Sequence, residues 1–103
     1  MENKYPLKIF PLAAQDLEQI FNYIAVNLCS PQAALKQIDD FENAFNSVCS
    51  FPESCPLINN EYVKDKSLRK LIVNNYVAFY RIENGEIQVI RVLYGMRNYQ
   101  ALL

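Results

Sequence analysis

The sequence predicts an α+β domain of order β-α-α-β-β-β, an antiparallel sheet with an αα-hairpin packed on one face. Two stretches with apolar residues at helical spacing lie side by side between residues 12 and 50. After a polar interval, three runs rich in β-branched and aromatic residues are separated by Asn74-Asn75 and Asn84-Gly85. Both dipeptides suit two-residue hairpin loops, because the central positions of a type I′ turn take positive φ. These runs therefore read as a three-strand meander.

Each element has its own signal. Tyr5 to Phe10 is short, apolar and bounded by Pro6 and Pro11, which suits an edge strand. From Leu12 to Leu28 the residues Leu17, Ile20, Phe21, Ile24 and Leu28 recur on one helical face, and Cys29 breaks the pattern. Asp16 and Glu18 sit in the early turns, where negative charge suits the helix dipole. Ser30-Pro31 reads as an N-cap followed by proline at the first helical position. The second helix, Pro31 to Ser50, carries Ala34, Ile38, Phe41, Phe45 and Val48 at spacings of 4, 3, 4 and 3. So short a connection makes the helices antiparallel neighbours, and only the meander can cover their apolar stripe. Phe51 to Lys66, with Pro52, Pro56, Asn59, Asn60 and a charged Lys-Asp-Lys run, reads as a loop.

Two-residue turns set the cross-strand pairs. Val73 is expected opposite Tyr76, Leu71 opposite Ala78, Arg69 opposite Tyr80, Ile82 opposite Ile87, Tyr80 opposite Val89, and Ala78 opposite Arg91. The face holding Leu71, Val73, Tyr76, Ala78, Tyr80, Ile82, Ile87, Val89 and Leu93 is the more apolar and should meet the helices. Arg91 is its anomaly. A buried guanidinium needs a carboxylate, and Asp16 or Glu42 is expected to supply it as a structural ion pair. The other face holds Ile72, Val77, Phe79, Ile90 and Val92, rimmed by Lys70, Arg81, Gln88 and Tyr94. An apolar patch with a charged border reads as an interaction surface, to be met by a partner's amphipathic helix or strand. The alternative cover is the long loop or the C-terminal tail. A bulge would shift this register by one.

At 103 residues and 51% hydrophobic, with 2 Gly and 5 Pro, the chain reads as a single domain over residues 1–103. No run approaches the ~20 apolar residues that span a bilayer. The opening residues lack the apolar core of a secretory signal, so a cytoplasmic location is expected. There are 3 cysteines in no C-x-x-C pattern and 0 histidines, so neither a metal site nor a cofactor is expected. Lacking histidine, the chain has no Ser-His or Cys-His nucleophile pair. Net charge is −1 but polarised. Residues 13–61 carry Lys36 as their only cation, whereas Lys64, Lys66, Arg69, Lys70, Arg81, Arg91 and Arg97 cluster later.

The hairpin segment from Leu12, followed by Arg69, Leu71, Asn75-Tyr76, Phe79-Tyr80-Arg81, Arg91-Val92 and Gly95 with Arg97, resembles the RelE/ParE superfamily of type II toxin–antitoxin toxins. The likeness covers nearly the whole chain, and the long helical hairpin resembles the ParE and plasmid-stabilisation side. It implies a growth-inhibiting toxin held inactive by a cognate antitoxin, which would bind Ile72, Val77, Phe79, Ile90, Val92 and Tyr94. ParE-like members inhibit DNA gyrase without cutting nucleic acid, and that is the target the resemblance implies first.

RelE-like members instead cleave ribosome-bound mRNA without a metal. Attack of a ribose 2′-OH on the adjacent phosphate needs cations for the developing charge and a proton acceptor. Under that alternative the resemblance matches Lys70 and Arg97 to phosphate-handling positions, Arg69 and Arg81 are further candidates, and Tyr99 or Tyr94 would stand in as the base. Two residues depart from the RNA-cutting pattern. Val77 follows Tyr76 where those enzymes carry a phosphate-binding Arg, and neither tyrosine has the spacing of their terminal Tyr. A third reading, from another class, is an inactive toxin-fold module that binds or autoregulates.

Overall fold

The computed structural model of the chain describes residues 4–95 and 102–103. Strand β1 (Leu7–Ile9) leads into helix α1 (Pro11–Asn22), which runs on as a π-helical turn over Tyr23–Asn27. Helix α2 (Pro31–Ser50) follows, then β2 (Arg69–Val73), β3 (Tyr76–Glu83) and β4 (Glu86–Tyr94). The meander β2-β3-β4 is antiparallel, and β1 adds to β4 in parallel, giving a mixed sheet of order β1-β4-β3-β2.

The helix boundaries follow local chemistry. Leu28 closes the first helical segment and Cys29 takes φ 54°, the left-handed conformation common just past a helix end. Ser30 is the N-cap of α2 without a side-chain capping bond, and Pro31 follows it inside the first turn. Asn84 and Gly85 take φ 55° and 72°, as a type I′ turn needs. At the first hairpin only Asn74 is positive, at 56°. Its amide is held instead by α2, donating to Asp40 Oδ2 at 2.9 Å and Gln37 Oε1 at 3.2 Å. The core lies between helices and sheet: Ala13, Phe41, Phe45 and Val48 pack on Ala78, Tyr80, Ile87, Val89 and Val92.

The β2–β3 register is the one the turn predicts. The β3–β4 register changes midway. Tyr80 pairs with Val89, but Phe79 pairs with Arg91, leaving Ile90 as an extra residue in β4. This bulge corrects the expected face assignment. Arg91 opposes Phe79 rather than Ala78, and Val92 opposes Ala78 and joins the main core. Leu93 moves to the far face opposite Val77, while Tyr94 turns to Tyr76 with ring centroids 5.9 Å apart.

The far face is also not open. Val77, Phe79 and Leu93 are buried beneath Ile58, Leu102 and Leu103. The expected exposed patch is corrected accordingly: of its members, Ile72 (66% exposed) and Tyr94 (47%) stand out, and Ile90 is half-buried. The cover holds because the loop is pinned along β2. Ile58 N–H donates to Leu68 C=O and Lys70 N–H to Pro56 C=O, both at 3.0 Å. Val63 and Leu68 anchor it from within.

Candidate functional site

Helix α1 crosses β4 where β1 has ended. The ladder closes with Phe10 N–H to Val89 C=O at 2.9 Å, so the edge of β4 beyond that point needs another acceptor. Asp16 provides it. One carboxylate oxygen accepts Val92 N–H at 2.9 Å and Arg91 Nε at 2.7 Å, and the other accepts Arg91 Nη2 at 2.9 Å. The two side chains are only 10% and 15% exposed. Hydrogen bonding to Asp16 raises the guanidinium pKa further against the opposing effect of burial. Arg91 Nη1 also lies 3.4 Å from Leu102 C=O. The pair thus ties α1, β4 and the C-terminal residues together.

The cations assigned to phosphate handling have different surroundings. Lys70 opposes Phe79 on the far face, half-buried, and its ammonium makes no hydrogen bond or ion pair with a described residue. Arg81 is committed. Its Nε donates to Gln88 Oε1 at 2.8 Å, its Nη1 to Asp65 Oδ2 at 2.9 Å, and Glu83 Oε1 lies 3.3 Å from Nε. Its guanidinium also lies 5.6 Å from the centroid of the Phe10 ring. Burial raises the Asp65 pKa, but hydrogen bonds from Ser67 and Arg81 outweigh it, and the net shift is downward. Arg97 and Tyr99 lie outside the described residues.

Tyr80 and Tyr76 on the meander are both shifted away from the pKa of a base. Tyr80 is fully buried and donates to Pro52 C=O at 2.8 Å; burial, then its contact with Cys55, pushes its pKa up. Burial likewise raises Tyr76, helped by Tyr23 and Tyr94. Among the described residues no cluster of three His, Cys, Asp or Glu could hold a metal ion. Gly95 has a packing role: its N–H donates to Asn75 C=O at 2.9 Å, and a Cβ there would lie 3.2 Å from that oxygen.

Residues 7–99 match the sequence family of the ParE toxin of the type II toxin–antitoxin system parDE. The chain belongs to this ParE toxin family. Among solved structures, a chain of the chromosomal ParDE system from P. aeruginosa superposes with a TM-score of 0.73 at 25% identity, covering 90% of this chain and 98% of that one. The toxin–antitoxin complex RelBE2 from Mycobacterium tuberculosis gives 0.61 at 17% identity, covering 88% and 98%. The archaeal RelE–RelB complex from Pyrococcus horikoshii gives 0.54 at 17% identity, covering 91% and 98%. No curated protein matches in sequence. The family and fold expected from the sequence are thereby borne out. No described helix of this ParE-family toxin is long and apolar enough to cross a membrane.

Sequence reasoning overlooked one feature, an open groove of about 570 Å³ between β1 and the two helices. Leu7 and Ile9 lining it were visible as an edge strand. That the helices leave a gap beside that edge depends on tertiary packing.

Proposed function

We propose that this ParE-family toxin arrests growth in the cytoplasm by binding DNA gyrase as a protein ligand, without cutting nucleic acid, and that the antitoxin of its module neutralises it. The observation that carries this reading is the state of Arg81. A cation that stabilises a phosphorane must be free to meet developing charge, and Arg81 already faces Asp65, Glu83 and Gln88. A phosphate would have to displace carboxylates carrying the same sign. Gyrase binding asks for neither a free phosphate cradle nor a base.

The test uses purified toxin in two assays: supercoiling by DNA gyrase, and cleavage of mRNA on programmed ribosomes. The proposal expects stoichiometric inhibition of supercoiling with intact mRNA. Cut mRNA with full supercoiling activity supports the RelE-like reading instead. An effect in neither assay supports the inactive binding module.

A further inference from the structure

We propose that the pocket between the end of α1 and the margin where β3 begins and β4 ends is an aromatic cage that receives an arginine side chain of gyrase. This deepens the gyrase reading and rests on it. The rings, the unpaired polar groups and the surrounding charge each point to a guanidinium.

The open pocket holds about 480 Å³ and is lined by Tyr23, Tyr76 and Tyr94, with Ile20, Leu28 and Val92 between them. Tyr76 and Tyr94 stand edge to face, with ring centroids 5.9 Å apart and planes at 76°, so the two rings make a corner. Leu28 N–H donates to Tyr23 C=O at 3.0 Å, closing the π-helical turn that brings both residues to the pocket rim. Tyr23 and Tyr94 are 52% and 47% exposed, so neither ring is spent on packing the core. Such a corner attracts a cation through the negative faces of its rings.

Polar groups without partners stand around the rings. The hydroxyls of Tyr23, Tyr76 and Tyr94 and the side-chain amides of Gln19 and Asn75 make no hydrogen bond with a described residue. Burial, with Tyr23 and Tyr94 nearby, raises the Tyr76 pKa, which keeps that phenol neutral at physiological pH. Asp16 also borders the pocket, but Arg91 and Val92 N–H already occupy both its oxygens. Ring faces and neutral oxygens must therefore hold the guest. A guanidinium suits them better than an ammonium: it is planar, weakly hydrated, stacks on aromatic faces and carries five N–H donors.

The surroundings select the sign of the partner. Helices α1 and α2 carry Asp16, Glu18, Asp39, Asp40 and Glu42 against Lys36 alone, and Lys36 is paired with Asp40 at 3.1 Å. This side of the molecule draws a cationic group and repels phosphates. The occupant is therefore the gyrase protein and not the DNA it holds. Arginine is also a frequent hot-spot residue that fills a pocket on its partner.

The test has two arms. In the first, full chain labelled with carbon-13 in its tyrosine rings is titrated with butylguanidine and, separately, with its uncharged isostere butylurea. Butylguanidine should shift Tyr23, Tyr76 and Tyr94 together and saturate with a Kd of about 1–10 mM. Shifts confined to other tyrosines, or equal shifts with butylurea, overturn the proposal. In the second arm, Tyr23→Leu with Tyr94→Leu keeps apolar bulk and removes two ring faces at exposed positions. The toxin concentration that half-inhibits supercoiling should rise by about tenfold or more, and by about threefold less for the corresponding Phe pair. Unchanged inhibition by the Leu pair overturns the proposal. So does a Leu pair that escapes neutralisation by the antitoxin while inhibiting gyrase fully, which gives the pocket to the antitoxin. The arms keep the two readings apart. Native chain that binds butylguanidine at the three rings and leaves supercoiling untouched overturns only the target, whereas inhibited supercoiling without those shifts overturns only the cage.

Discussion

Asp16→Ala is the substitution whose cost the structure specifies best. It strands a guanidinium that is only 15% exposed and removes the acceptor of Val92 N–H. Breaking one side of a buried ion pair costs about 3–5 kcal/mol, a large share of the roughly 5–15 kcal/mol that holds a domain folded. Near 4 kcal/mol, the melting temperature of a chain this size should fall by roughly 16–32 °C. Asp16→Leu with Arg91→Met removes both charges and leaves the orphaned Val92 amide, worth about 1–3 kcal/mol. The double variant should therefore be more stable than Asp16→Ala despite carrying more changes. Urea unfolding followed by circular dichroism measures all three proteins. A loss under about 1 kcal/mol for Asp16→Ala, or a double variant less stable than the single one, would refute the assigned role of the pair.

The remaining predictions concern the far face, the turn and the target. The lowered Asp65 pKa means its contribution is fully present above the unfolded carboxylate value of about 3.9 and is lost as pH falls through the folded value. Asp65→Asn should accordingly cost about 0.5–1 kcal/mol at pH 7 and progressively less below about pH 4, measured by urea unfolding across pH. Gly95→Val forces a branched side chain against Asn75 C=O and should cost about 1–3 kcal/mol in the same assay. Lys70→Ala should reduce the affinity for gyrase by no more than about tenfold and leave full inhibition at saturation. A catalytic cation would instead cost about 100- to 1,000-fold in turnover.

What the sequence revealed, and what it hid, follows from the range of the forces involved. Helix α2 was legible to the residue because Ser30-Pro31 and the spacing of Ile38, Phe41, Phe45 and Val48 are local signals. The β2–β3 register was legible because a two-residue turn leaves no freedom. Arg91 announced its need for a carboxylate, and Asp16 was one of the two expected to accept from it. The bulge at Ile90 was not foreseeable. No glycine or proline marks it, and it shows only in the pairing of β4 with β3. That one residue moved Val92 and Tyr94 off the face assigned to the antitoxin. The burial of Val77 and Phe79 depended on residues far away in sequence, Ile58, Leu102 and Leu103. One partner of Arg81 was hidden for the same reason: Gln88 lies opposite it in the expected register and Glu83 on its own strand, but Asp65 becomes its neighbour only when the loop folds back along the sheet. The π-helical turn at Tyr23–Asn27 left no mark in the apolar spacing either.

The most direct test of the central claim is to induce this chain alone in a bacterium and pulse-label DNA and protein synthesis over the following minutes. Inhibition of gyrase predicts early loss of DNA synthesis with a DNA-damage response while translation continues. Early loss of translation with DNA synthesis intact and cut transcripts would contradict it.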